Sequence, residues 1–86
     1  MNQLFKDICK AHADINSSIQ RTQFSESITL SELLSCKVYL KFENHQFTGS
    51  FKERGALNKI LSMSSTEKER GVIAASAGNH AQGLAY

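Results

Sequence analysis

One lysine and one short turn carry most of the chemistry open to this sequence. Lys52 follows Gly49-Ser50-Phe51, where a helix is expected to begin, and the positive end of a helix is an unfavourable place for a cation. A lysine in that position either faces water or is held there for a purpose. The purpose would be an amine of depressed pKa that acts covalently on a carbonyl group. The plainer account also has substance, because Lys52, Ala56 and Lys59 share one stripe that could simply be solvated. The second candidate is Ser76-Ala77-Gly78-Asn79-His80. Small residues between a strand end and a helix start leave backbone N–H groups able to converge on an anion. A simple turn capped by Ser76 or Asn79 uses the same residues.

Other chemistries fail on residue type. Gly78 and Gly83 have the glycine spacing of a triphosphate loop, but Leu84 and Ala85 stand where lysine and a hydroxyl residue are needed. No G-x-G-x-x-G occurs, so the dinucleotide fingerprint is absent from the sequence. Cys9 and His12 share a helix face, yet no second pair completes a metal site. Two cysteines, Cys9 and Cys36, make no disulfide framework, and both are expected to be reduced and buried.

Lys52 needs a loop and a helix to hold it, and the Ser76–His80 turn needs a strand before it and a helix after it. Val38-Tyr39-Leu40-Lys41-Phe42 is almost continuously apolar and rich in β-formers, as in a strand covered on both faces. Glu43 to Gly49 is a polar loop. Ser50, three residues before Glu53, predicts a capping box and a helix from about Phe51, with Leu57, Ile60 and Leu61 as its buried stripe. Ser62 to Arg70 is polar, and Thr66 three before Glu69 predicts a short helix there. Gly71-Val72-Ile73-Ala74-Ala75 reads as a second strand, and a last helix opens at His80.

Upstream, Leu4, Ile8, Ala11, Ile15 and Ile19 mark one apolar helix face over the first twenty residues. Gln20 to Ser27 reads as a connection. Thr29 to Leu34 reads as a short helix, with Thr29 and Glu32 as its capping box. The class is therefore α/β: an N-terminal helix followed by part of an open parallel sheet in the order βαβα. Such sheets gather ligands outside the carboxyl ends of their strands, where both candidate loops lie.

Composition agrees with a folded protein. Of 86 residues, 41% are hydrophobic and 21% charged, which excludes an intrinsically disordered tail. Ten basic against eight acidic residues leave +2, too little for a nucleic-acid footprint. No apolar run reaches the roughly 18 residues of a membrane-spanning helix, and no secretory signal opens the chain. The expected compartment is the cytoplasm, with no membrane partner. A single βαβ unit is not a usual domain, so residues 1–86 are expected to be a fragment of a longer protein.

The stretch Lys41-Phe42-Glu43-Asn44-His45-Gln46-Phe47-Thr48-Gly49-Ser50-Phe51-Lys52-Glu53-Arg54-Gly55-Ala56 closely resembles the cofactor-lysine motif of the threonine dehydratase (threonine ammonia-lyase) family. These are fold-type-II lyases dependent on pyridoxal 5'-phosphate, with a fold like that of tryptophan synthase β. Ala75-Ser76-Ala77-Gly78-Asn79-His80-Ala81-Gln82-Gly83 resembles the same family's asparagine loop. By that resemblance Lys52 carries the cofactor and later moves the Cα proton, Phe51 packs on the pyridine ring, and Asn79 bonds the ring hydroxyl oxygen. Ser76, Gly78, Asn79 and His80 resemble the loop that grips the substrate carboxylate, largely through backbone N–H.

The implied reaction is β-elimination of water from L-threonine, with L-serine as second substrate, giving a 2-oxo acid and ammonia in threonine catabolism or isoleucine biosynthesis. Glu53 stands where the family usually has Ile or Leu, and Gln23 where it often has proline. Ala77 stands where the related serine racemases carry a serine, which points to elimination. The family's glycine-rich phosphate loop has no counterpart in these 86 residues, so the piece alone is expected to turn nothing over. The parent is expected to be a homo-oligomer. Alternatives within the fold are a serine racemase-like or cysteine synthase-like enzyme, and outside it an inactive relative with an interaction role.

Overall fold

A computed structural model describes residues 2–86. Helix α1 spans Gln3–Ile15, and the Asn2 side chain caps it by accepting from the Phe5 N–H at 2.8 Å. It stops short of the twenty residues that the periodicity suggests. Asn16, Ser17 and Ser18 follow, residue types that compete with the helix for backbone hydrogen bonds. Of its apolar face only Ile15 is buried, with Ala11 half-buried, whereas Leu4 and Ile8 are exposed.

The connection after it contains a strand, β1 (Phe24–Glu26), and α2 (Ile28–Leu34) follows. Ser27, not Thr29, caps α2, its hydroxyl accepting from the Leu30 N–H. Strand β2 is Tyr39–Lys41, the centre of the expected Val38–Phe42 strand, and it pairs antiparallel with β1. Phe24 lies opposite Lys41, and the rings of Phe24 and Tyr39 stack diagonally at 5.5 Å.

The α/β class holds, but the parallel pairing does not. The extended segment 71–76 makes no ladder among the described residues, and Ile73 in it is fully exposed. The apolar run needed a neighbouring strand, and among the described residues β2 finds it in β1, across the intervening helix α2.

Helix α3 spans Lys52–Ser62, α4 Ser65–Arg70 and α5 Asn79–Ala85. Ser64 and Glu67 form the capping box of α4, in place of Thr66 and Glu69. The expected stripe of α3 is only partly covered: Leu57 and Ile60 are half-buried and Leu61 is exposed, while Ala56 and Glu53 are buried. Cys9 and Cys36 are free thiols, as expected, but exposed, because the helix face and strand approach that carry them have nothing packed over them.

Helix α3 is the hub, packing on α5 and α1. Around it the apolar core is thin: Ile15 and Ala56 are the buried hydrophobic residues, against four buried polar ones, Thr22, Gln46, Ser50 and Glu53. The chain exposes 6718 Å², where a compact chain of this length exposes about 5,000 Å². Its radius of gyration is 15.9 Å, against about 12 Å for a compact domain. No helix among the described residues is long and apolar enough to cross a membrane.

Candidate functional site

The loop that delivers Lys52 is fixed by polar contacts rather than by apolar packing. Gln46 clasps the backbone of Gln20, its Oε1 accepting from the Gln20 N–H at 3.0 Å and its Nε2 donating to the Gln20 carbonyl at 2.8 Å. Its Nε2 also donates to Glu43 at 2.9 Å. The Glu43 carboxylate further accepts from the Thr22 hydroxyl at 2.7 Å and from Nη2 of Arg54 at 3.3 Å, and it pairs with Nε of Arg54. Burial by itself raises the Glu43 carboxyl, but the donors Arg54, Gln46 and Thr22 and the Arg54 charge outweigh it. The pKa is held at about 2, against an ordinary 4.5. This network ties the chain after α1, the turn at Glu43–His45 and helix α3 together two residues past Lys52.

The final approach to Lys52 is a tight turn. Gly49 has φ +76°, a left-handed conformation that favours glycine, and its N–H donates to the Gln46 carbonyl at 2.9 Å. The Ser50 hydroxyl accepts from the Lys52 N–H at 3.3 Å. The predicted box between Ser50 and Glu53 does not form. Glu53 instead turns back to Thr48, accepting from its N–H and its hydroxyl, both at 3.0 Å. Glu53 is 1% exposed, and its second oxygen has no hydrogen-bond partner. A carboxylate that packs against the preceding loop accounts for a charged residue where an aliphatic one is expected: it straps the loop to the helix it enters.

Lys52 is the first residue of α3, and its Nζ lies 5.0 Å from the centroid of the exposed Phe51 ring. It makes no ion pair among the described residues. An unpaired amine beside a flat aromatic face fits a planar, aldehyde-bearing ring such as that of pyridoxal phosphate.

The second motif lies on the partner helix. Asn79 and His80 begin α5 and are exposed. The Ser76 hydroxyl accepts from the Gly78 N–H at 3.0 Å and the Ala81 N–H at 3.1 Å. Ser76 therefore acts as the cap, and the Gly78 N–H is committed inside the turn rather than turned outward. The N–H groups of Asn79 and His80 belong to the first helical turn and have no acceptor within it. Ser76 keeps its hydroxyl proton for donation. Asn79 is the first residue of α5, the helix that packs on α3.

Gly83 is the contact between the two halves. A Cβ built there would lie 3.1 Å from the Glu53 nitrogen and the Lys52 carbonyl carbon, and 3.2 Å from the Lys52 oxygen. One turn on, Tyr86 stacks on Phe47 at 5.4 Å. Neither Gly83 nor the Glu43 network stood out in the sequence as functional. Glycine inside a helical pattern was the signal for the first, whereas the second joins residues 21 and 11 positions apart and has no local signature.

Comparison with known proteins adds the following. Residues 15–86 match the family described as pyridoxal-phosphate dependent enzyme. Over 80 residues the chain is 52% identical to the L-threonine ammonia-lyase of Thermotoga maritima, covering 93% of this chain and 20% of that protein. It is 55% identical to the catabolic L-threonine dehydratase of Staphylococcus aureus (strain USA300), covering 92% and 23%. The solved structure of serine racemase from Dictyostelium discoideum superposes with a TM-score of 0.83 at 46% identity, covering 94% of this chain and 26% of that one. The chain thus spans about a fifth to a quarter of the length of these relatives.

Proposed function

The chain belongs to the pyridoxal-phosphate dependent enzyme family, and from that premise we propose that the protein carrying it is a threonine ammonia-lyase. Residues 1–86 are the N-terminal part of its catalytic domain. It dehydrates and deaminates L-threonine to 2-oxobutanoate and ammonia, and L-serine to pyruvate. The reading rests most on one observation: helix α5, headed by Asn79, is seated directly against the backbone of Lys52.

Bound pyridoxal phosphate supplies an electron sink for the charge that leaves Cα. Lys52 would hold the cofactor through its amine and would take the proton from the substrate Cα. Phe51 walls one face of the ring. Asn79 would hold the ring oxygen through its side-chain N–H. The Ser76 hydroxyl and the N–H groups of Asn79 and His80 hold the substrate carboxylate, and Gly78 lets the turn close behind them. Ala77 brings no hydroxyl to the site, which favours elimination over racemisation. The racemase reading is kept by the likeness to the Dictyostelium enzyme, and L-serine separates the two, since a lyase yields pyruvate and a racemase D-serine.

The wide exposed surface and thin apolar core support a further part of the proposal, that these residues bind the cofactor weakly and turn nothing over by themselves. A homo-oligomeric enzyme of the cytoplasm fits the same reading. The test is made on the whole protein. It shows a lysine-bound cofactor band that borohydride fixes onto the Lys52 peptide, and Lys52→Ala abolishes both the band and 2-oxobutanoate release. A band that survives Lys52→Ala refutes the assignment.

A further inference from the structure

Helix α5 makes two contacts with the segment that carries Lys52, and they differ in kind. Tyr86 stacks on Phe47 at 5.4 Å, a soft contact that tolerates some sliding. Gly83 is a hard stop. The atoms facing it at 3.1–3.2 Å are backbone atoms of Lys52 and Glu53, and they belong to a loop and helix start already held by the Glu53–Thr48 bonds and the Ser50–Lys52 bond. A flexible side chain would yield to an added methyl group, but this backbone can yield only by moving Lys52 or by pushing α5 away. Glycine inside a seven-residue helix costs stability relative to alanine, and nothing within α5 repays it. What repays it is the close approach to α3.

We propose that Gly83 is a positioning residue that sets the distance between the Lys52 amine and the Ser76–His80 turn. Lys52 opens α3, and Asn79 opens α5 one helical turn from Gly83. A shift of α5 at Gly83 therefore moves Asn79, His80 and the turn as one body relative to Lys52. The shift forced by one methyl group is a few tenths of an ångström. Misplacement of about 1 Å costs a reaction about a hundredfold, so a shift of a few tenths of an ångström costs about fourfold.

The inference builds on the proposed role of Lys52, and the experiment keeps the two apart. In the whole protein, Gly83→Ala is compared with wild type and with Lys52→Ala by three readouts: position of the cofactor band, rate of band formation when pyridoxal phosphate is added to cofactor-free protein, and kcat and KM for L-threonine. The expected result for Gly83→Ala is a band still fixed by borohydride on Lys52 but displaced in wavelength, because the Asn79 bond to the ring oxygen is altered. Band formation slows and KM rises about fourfold. A wild-type band position, rate and KM in Gly83→Ala overturn the inference and leave the role of Lys52 standing. A band that persists in Lys52→Ala overturns both. If Gly83→Ala does not fold, Tyr86→Leu decides: loosening α5 at its soft contact is expected to displace the same band and raise the same KM. Unchanged values there also overturn the inference.

Discussion

Replacing Glu43 by glutamine keeps the shape of the network behind the site and removes its charge. The native pKa of about 2 lies below the ordinary 4.5, a gap of about 2.5, for which about 1.4 kcal/mol per pH unit sets a ceiling of about 3.5 kcal/mol. The Arg54 side chain is 28% exposed, so solvent screening brings the expected contribution to about 1–2 kcal/mol. Because the folded-state pKa is depressed, the contribution is complete above pH 4.5 and is lost as pH falls through about 2. By pH 3 about 40% of it remains. Urea unfolding of wild type and Glu43→Gln at pH 7, 5, 4 and 3 reads this directly. Wild type is expected to lead by about 1–2 kcal/mol at pH 7, with the lead shrinking from pH 5 downward. A lead that stays constant across that range would falsify the claim that ionised Glu43 is what holds the network.

Two further substitutions test the supports of Lys52 and of the fold around it. Glu53→Leu trades two hydrogen bonds and an orphaned buried oxygen for an apolar side chain of similar size, so its urea midpoint is expected to match wild type within about 1 kcal/mol, whereas Glu53→Ala loses about 2 kcal/mol. Equal losses in the two variants would show that Glu53 contributes by its carboxylate alone. Ser64→Ala removes one half of the α4 capping box and is expected to cost about 1 kcal/mol in the same assay, while an unchanged midpoint would mean that α4 is held by other contacts.

The two motifs were legible because each packs its information into consecutive residues. Lys52 after Gly49-Ser50-Phe51 and Asn79 after a small-residue turn both fall at helix starts, as the sequence predicts. Strand β1 was not legible: three residues with Phe24 as the sole apolar one offer no alternation, and only β2 lying alongside makes Phe24–Glu26 a strand. The reverse happened at 71–75, where the apolar pattern is right and no strand among the described residues pairs with it. Three capping boxes were predicted from S/T-x-x-E spacing. In each case a serine elsewhere, or Thr48 in place of Ser50, took the hydrogen bond, because the pattern recurs at neighbouring offsets and packing selects among them. The hydroxyl arrangement at Ser76 was anticipated as one of two options, and it limits the outward N–H groups to Asn79 and His80.

The unpaired segment around Ile73 has a consequence for how this polypeptide is made. Val72 and Ile73 lie open to solvent, in an extended segment that makes no ladder among the described residues. Such a stretch is a target for chaperones of nascent chains and a point of risk for association between neighbouring polysomal copies.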